Sequence, residues 1–402
     1  MNNKINTSAL LTLSNLHGTG VAYTSRPSYD SNPWLSNEEH QSNYLTGREI
    51  LIADQLPMLV HQASVTDKLT SLFELVGLEI PDNIFTFDDK YSYECLIQQL
   101  AYKDGNKILF QYPHSEDVLS NHHYGVDKDL FIALNNKSRL AEWTNNKYLP
   151  DREVINIEDF SSAMSRWSFP FVLKIGDDLP TSGGNGVMIC DNNNDLELAK
   201  MKISNDQNIS KTIIIERKIE ARMNYSVQYA YSKSKGLIFL GATEQLTDTA
   251  GHYQGNHKLE HIPQAVVQAG KEIMQTAVDK GYLGVAGFDL LVDKNENIYA
   301  IDLNFRQNAS TSLLMLAPML KSGHHKFFTY ISPCDNKLFF NTIFKYVQKG
   351  ILFPIAYYDG DWHSDDGIKS RFCGIWHGGS KDYLEKSEIQ FLKEIDTSLI
   401  NN

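Results

Sequence analysis

Two carboxylates, an amide and a guanidinium fall close together between Gly287 and Arg306, in the stretch GFDLLVDKNENIYAIDLNFR. Two apolar, β-rich runs, 285–292 and 298–303, flank a polar turn rich in Asn, which is the pattern of a β-hairpin. With 294–297 as the loop, Asp293 pairs with Ile298, and counting outward sets Asp289 opposite Asp302. Paired side chains on one face stand about 5 Å apart at Cβ. Asn304 follows Asp302 by two residues and shares its face, and Arg306 follows by two more. Two facing carboxylates repel unless a cation lies between them. A set of Asp289, Asp302 and Asn304 suits Mg2+, with Mn2+ as the alternative, because such an ion takes one or two carboxylates and completes its shell with phosphate and water. Arg306 would set a planar, permanently charged fork beside those phosphates. A surface hairpin with solvated acids fits the same residues, so the remainder of the chain has to decide.

Three further stretches could handle a nucleotide. Residues 169–175 form an apolar strand with one lysine, Lys174, which is costly to bury without an anion and is otherwise an edge lysine facing water. A glycine-rich loop follows, Thr181-Ser182-Gly183-Gly184-Asn185-Gly186. Placed between two strands, such a loop lays backbone N–H groups over phosphate oxygens, although no Gly-Lys-Ser/Thr opens a helix here as in a Walker loop. The run 213–219 is an apolar strand ending in Glu216, Arg217, Lys218 and Ile219. Its exit can offer donors and acceptors to an adenine edge, with Glu216 accepting from the exocyclic amine; a buried strand with a charged end reads the same way. The loop 247–257 carries His252, which could meet a phosphate or a substrate carboxylate, or belong to a plain surface loop.

The positioning elements follow from periodicity. Residues 1–48 are polar and broken by Gly and Pro. Strands are expected at 50–53, 83–87 and 107–111, with helices at 66–76 and 91–102, so this N-terminal unit, 1–125, is an α/β layer with a mostly parallel sheet. Over 126–320 a helix or helix pair at 127–143 leads to a strand at 153–157, a short helix at 157–165 and strands at 171–175, 187–190 and 212–219, with a helix at 196–203. Strands at 225–230 and 237–245 and a helix at 264–280 precede the acid hairpin. Residues 321–402 form a distinct piece with helices at 339–349 and 381–394 and strands at 351–358 and 371–376.

At 402 residues the chain is long enough for two or three domains. A net charge of −12 argues against nucleic-acid and membrane-surface partners but leaves room for an anionic ligand in a locally basic cleft. Four scattered cysteines give no disulfide framework, no run of about 20 apolar residues occurs, and no signal-peptide pattern opens the chain, so a cytoplasmic protein is expected. The adjacent pairs His122-His123 and His324-His325 point apart and make poor ligand sets.

The order of these parts resembles the ATP-grasp superfamily over roughly residues 125–320: a lysine in a strand, a glycine-rich loop, an apolar strand with Glu, a strand, a helix, and an acid hairpin ending Asp302-Leu303-Asn304-Phe305-Arg306. The preceding stretch resembles the small α/β domain that goes before the grasp domains. The resemblance places nucleotide lysines at Lys137 and Lys174, the phosphate-covering loop at Ser182, Gly183, Gly184 and Gly186, the adenine hinge at Glu216–Ile219, and the metal ligands at Asp289, Asp302 and Asn304. Arg306 resembles the arginine that steadies the transferred phosphoryl group, and Ser310 and Thr311 fall where relatives bind the acid substrate. Three departures stand out: Asn224 where a ribose-binding glutamate is usual, Gly287 where an arginine often precedes the first acid, and Asp302 where many members have glutamate. The resemblance implies an ATP-dependent ligase that activates a carboxylate as an acyl phosphate and couples it to an amine, joining amino acids or small peptides. A phosphoryl transferase on the same fold, or a nucleotide binder without turnover, are the alternatives. Residues 330–402 would cover the active site or form a homodimer contact.

Overall fold

The computed structural model describes residues 10–396, apart from 31, 33, 36, 37, 182, 206–210, 248–252, 321, 322, 365 and 366. Three sheets organise it. The first has strands β1 (Val21–Thr24), β2 (Met58–His61), β3 (Ile84–Phe87) and β4 (Lys107–Phe110), all parallel, in the order β3-β2-β1-β4. Every residue of β2 is buried, as a parallel strand covered on both faces requires. The second sheet is antiparallel, with β5 (Arg152–Asn156), β6 (Phe171–Ile175), β7 (Val187–Cys190) and β8 (Thr212–Arg217) in the order β5-β8-β6-β7.

The third sheet has eight strands: β9 (Ala221–Ser232), β10 (Gly236–Thr247), β11 (Tyr253–Lys258), β12 (Gly284–Asp293), β13 (Ile298–Asn304), β14 (His324–Ile331), β15 (Leu352–Tyr358) and β16 (Arg371–Gly378). Their order is β13-β12-β9-β10-β11-β14-β16-β15, so the last three strands continue the sheet that holds the acid hairpin. The seam is β11–β14, with Asn256 opposite Phe327 and His257 opposite Lys326.

Three readings of the sequence change here. Residues 50–53 form a helix rather than a strand, because Ile50 and Ala53, three apart on one helical face, are both buried. The 1–48 stretch, expected to be irregular, contributes β1 to the interior of the first sheet. Part of the 247–257 loop is strand β11, whose polar sequence YQGNHK carries no apolar alternation and which is placed by pairing with β10 and β14.

One core joins Leu13, Tyr23 and Met58 of the N-terminal unit to Phe339, Trp376 and Phe391 of the last eighty residues. Phe391, on the helix Lys381–Ile395, is fully buried with its ring 4.9 Å from that of Tyr330 and 5.6 Å from that of Trp376. Phe391→Ala should therefore cost about 3–5 kcal/mol. Thermal unfolding followed by circular dichroism should show one transition shifted down as a whole. A separate early transition, with the remainder unmoved, would show that the C-terminal piece is an independent unit.

Candidate active site

The acid hairpin reaches its geometry through two offsets that cancel. Asp293 lies in the turn, where its carboxylate accepts from the N–H groups of Asn295 at 2.8 Å and Asn297 at 2.9 Å, and Glu296 takes φ 65°. This tight turn sets Val292, not Asp293, opposite Ile298. A β-bulge at Ile301 then restores the count, so that Asp289 does stand opposite Asp302 and Gly287 opposite Asn304. A bulge leaves its extra residue outside the ladder, and the Ile301 carbonyl accepts from Lys174 Nζ at 2.8 Å.

Burial first, and then the negative charge of Asp302, push the Asp289 carboxyl up to about 7. Ser226 lies opposite Asp289 on β9, and the Gln245 amide, turned with its nitrogen toward the carboxylate, donates to both oxygens at 3.1 and 3.2 Å. Burial would raise Asp302 too, but the ammonium groups of Lys137 and Lys174 and the Arg306 guanidinium outweigh it and hold Asp302 below the usual carboxylate range. Lys137, in the turn Lys137–Arg139, ion-pairs directly with Asp302. Asp302 is thus the permanently charged partner and Asp289 the one whose charge depends on a neighbouring cation.

Lys174 and Glu216 were expected to meet phosphate and adenine. The structure pairs them with each other, Nζ to Oε2 at 2.5 Å. The register explains it: Lys174 faces Ile214 and Val172 faces Glu216, so the two charged side chains are diagonal neighbours on one face. Arg152, opposite Glu216 on β5, approaches its other oxygen at 3.5 Å and donates from Nη2 to the Lys137 carbonyl at 2.8 Å. Arg152 had no signal in the sequence, since only the β5–β8 register sets it there.

Arg306 is nearly buried, at 9% exposed. It donates to the Thr181 carbonyl at 3.0 Å and to Asn135 Oδ1 at 3.3 Å, with its guanidinium 5.2 Å from the Tyr112 ring centroid. It therefore ties the start of the glycine-rich loop to the end of the hairpin. Gly183 and Gly184 adopt φ 64° and 83° and line the cleft; Gly186 does not, and its carbonyl instead accepts from Ile175 N–H at the base of the loop. Ser182 and His252 lie outside the described residues. Arg217 and Lys218 pair with Asp151 at 3.0 Å and Asp191 at 2.7 Å, and Ile219 lies beside them on the cleft wall. Asn224 also lines the cleft, and its buried Oδ1 has no hydrogen-bond partner among the described residues.

Ser310 reaches the cleft and Thr311 does not. Thr311 is fully buried, donates to Gln228 Oε1 at 3.0 Å and completes the cap that Asn308 forms on the helix Ala309–Leu316. Gln228 in turn donates to Asn308 Oδ1 at 2.9 Å and to Ser310 Oγ at 2.8 Å. This network fills the space beside Gly287, where a Cβ would fall 2.2 Å from Gln228 Nε2 and 2.4 Å from Asn308 Nδ2. No side chain fits there, which accounts for the missing arginine.

The site opens into a cleft of about 970 Å3 lined by all three parts of the chain. Among the described residues no group of three or more His, Cys, Asp or Glu could hold a metal. The donor set is two carboxylates and one amide, fitting a hard cation shared with phosphate. No helix of the described residues is long and apolar enough to cross a membrane.

The fold and this site define an ATP-grasp ligase, an enzyme that binds ATP and joins a carboxylate to an amine with formation of ADP. Three family models match in succession: the L-aspartate–L-methionine ligase N-terminal domain over residues 12–132, its ATP-grasp domain over 150–304 and its C-terminal domain over 318–396. The chain belongs to the L-aspartate–L-methionine ligase family of ATP-grasp amino-acid ligases. Among solved structures it is similar in fold to N5-carboxyaminoimidazole synthetase from Staphylococcus aureus complexed with ADP, at TM-score 0.56 and 13% identity over 84% of this chain and 96% of that one. L-amino acid ligase from Bacillus licheniformis matches with TM-score 0.52 and 13% identity, covering 84% and 97% of the two chains. Biotin carboxylase from Campylobacter jejuni matches with TM-score 0.54 and 15% identity, covering 82% and 84%.

The elevated Asp289 carboxyl has a measurable consequence. Its folded value of about 7 lies above the ordinary 3.8, so across that window the folded protein holds more protons than the unfolded chain. Its contribution to stability is full below the ordinary value and is lost as pH rises through about 7. A divalent cation that bound at Asp289 would displace that proton. Calorimetric titration of Mg2+·ATP near pH 6.5, in buffers of different ionisation heat, should show net proton release in the native protein and none in Asp289→Asn. Equal heats in all buffers would remove Asp289 from the cation site.

Proposed function

We propose that the chain joins L-aspartate to L-methionine, with ATP converted to ADP and phosphate and Mg2+ or Mn2+ as the metal. The observation that carries the placing of the chemistry is the opposition of Asp289 and Asp302, with Asn304 beside them and Lys137, Lys174 and Arg306 around them. One amino-acid carboxylate attacks the γ-phosphorus, forming a P–O bond as the bond to ADP breaks. The amine of the other then attacks the acyl carbon, forming the C–N bond, expelling phosphate and losing a proton. Asp289, Asp302 and Asn304 would hold the metal, which would supply positive charge at the phosphate oxygens. The remaining work falls to the chain: two anions must be brought together, which fixed cations at the transferring group favour.

In this reading Lys174 is held on the Ile301 carbonyl and Glu216, so its ammonium is fixed in place before a nucleotide arrives. Arg306 bridges the glycine-rich loop and the hairpin, and its charge gains most as negative charge redistributes on the phosphoryl group. Glu216 takes the role of positioning Lys174, Asn224 the role of meeting the ribose with its unpartnered Oδ1, and the exits of β8 at Arg217, Lys218 and Ile219 form the wall for the base. The four free cysteines suit a reducing, cytoplasmic setting.

Release of ADP and phosphate only when ATP and both amino acids are present, with the dipeptide detected by mass spectrometry, would establish the reaction. ADP release without an amide product would favour a phosphoryl transferase instead. Asp302→Asn should lower turnover by roughly 100-fold or more while the fold is kept, since it removes the permanently ionised member of the pair. Normal turnover in that variant would overturn the metal assignment.

Arg306→Met should leave the affinity for a non-hydrolysable ATP analogue within about 1 kcal/mol but reduce turnover with both substrates saturating by roughly 100-fold or more. It leaves the Thr181 carbonyl with one donor fewer, so a stability loss of about 1–3 kcal/mol should accompany it. Arg306→Lys should rescue poorly, because an ammonium cannot serve both Thr181 and Asn135 as a planar fork does. Activity lost only through a higher ATP requirement would make Arg306 a binding residue.

A further inference from the structure

The wall of the cleft supplied by the N-terminal unit carries a cation that phosphate handling does not use. Arg48 follows the helix Glu39–Leu45 in a tight turn, with its N–H donating to the Leu45 carbonyl at 3.2 Å and its own carbonyl accepting from Ser312 Oγ at 3.3 Å. Its side chain is only 14% exposed, and it lines the same cleft as Asp289 and Asp302. The partners that hold it are loose. Nη2 lies 3.5 Å from Glu49 Oε1 and 3.4 Å from Gln111 Oε1, and Nε is buried with no hydrogen-bond partner among the described residues.

Glu49 is the main counter-charge of Arg48 and helps hold the guanidinium protonated against burial. It is almost fully buried, does not line the cleft, and burial pushes its carboxyl up against the pull of Arg48. Gln111 stands between them, donating to Glu49 Oε1 at 3.1 Å and to the Tyr23 hydroxyl at 2.6 Å. Glu49 and Gln111 thus brace the guanidinium at Nη2 and leave Nε without an acceptor among the described residues, so one donor of the fork that takes a carboxylate side-on is unused.

We infer that Arg48 is the binding residue for the carboxylate that the reaction leaves unactivated on an amino-acid substrate. This rests on the ligase reading above. With aspartate as the activated acid, the chemistry calls for such a group: each of the two amino acids then keeps one free carboxylate, and a loose carboxylate beside the phosphoryl group would compete as a nucleophile or repel the one that reacts. A guanidinium on the wall supplied by the N-terminal unit would hold it away from the γ-phosphate.

The test uses the full chain with saturating Mg2+·ATP and five substitutions of substrate or protein: methionine replaced by its amide, aspartate replaced by each of its two monoamides, Arg48→Met and Arg48→Lys. The monoamide that lacks the reacting carboxylate is the inert control; of the other two the native enzyme should discriminate against one amide, and Arg48→Met should raise KM for the matching free acid by roughly 30-fold or more, the size expected when a buried charge pair loses one partner. The same variant should use that amide as well as the acid, which a merely structural role would not produce, and its affinity for an ATP analogue should be unchanged. Which arm responds identifies the amino acid. If Arg48→Met does not fold, the substrate arms with the native enzyme and Arg48→Lys still decide. A native enzyme indifferent to both other amides, or an Arg48→Met that keeps the full discrimination, overturns the subsite while the ligase reading stands. No ADP release with any amino-acid pair in the native enzyme overturns the ligase reading itself.

Discussion

Repulsion between two carboxylates facing each other across one hairpin is the constraint that the rest of the site answers. Asp289 and Asp302 are set opposite by the ladder; Asp289 is kept from water, beside β9 and Gln245, while Asp302 stays partly exposed. Two ionised groups so placed are costly, and the protein meets the cost asymmetrically. Lys137 sits on Asp302 and keeps it charged, while Asp289 is left to share in a proton at neutral pH. In the proposed site a divalent cation would replace the proton on Asp289 and relieve the repulsion at once.

A second buried charge system supports the first. Lys174, Glu216 and Arg152 form a row across β6, β8 and β5, with Lys174 reaching on to the Ile301 carbonyl. Buried ion pairs contribute little net stability, because desolvation offsets attraction, but removing one partner leaves an uncompensated charge. The benefit is positional. The row connects the second sheet to the bulge of the third, so the lysine and the acids move together rather than as independent side chains. Gly287 adds to this rigidity in a different way, because the Gln228–Asn308–Ser310 network occupies the volume its side chain would need.

The parts legible in the sequence were those governed by local pattern. The hairpin, the lysine strand, the glycine-rich loop and the amphipathic helix at Gln264–Asp279 each announce themselves within some twenty residues. Even there the local count was one residue out at the turn, and the bulge at Ile301 cancelled the error. What stayed hidden depends on pairing between distant segments. Arg152 meets Glu216 through a register no local pattern reveals. Strand β11 is polar and is held in the sheet by pairing with β10 and β14, and β14 itself carries two histidines and a lysine in its first three residues. Arg48 follows an unremarkable helix and gains meaning only from the cleft it faces.

Charge at long range and charge at the site have opposite signs, and that difference shapes binding. The whole chain carries −12, so a polyphosphate approaching from a distance meets net repulsion. At physiological ionic strength the screening length is about 8 Å, so that repulsion fades before contact. Inside the cleft Arg48, Lys137, Lys174, Arg217, Lys218, Arg222 and Arg306 face Glu216, Glu244, Asp302 and a partly protonated Asp289, leaving the local balance positive. Attraction is therefore confined to the distance over which ligand shape is also tested. A nucleotide gains from these cations only after it has entered between the two grasp sheets and displaced water from them, which favours a metal-bound triphosphate over the many other anions that meet the same acidic surface.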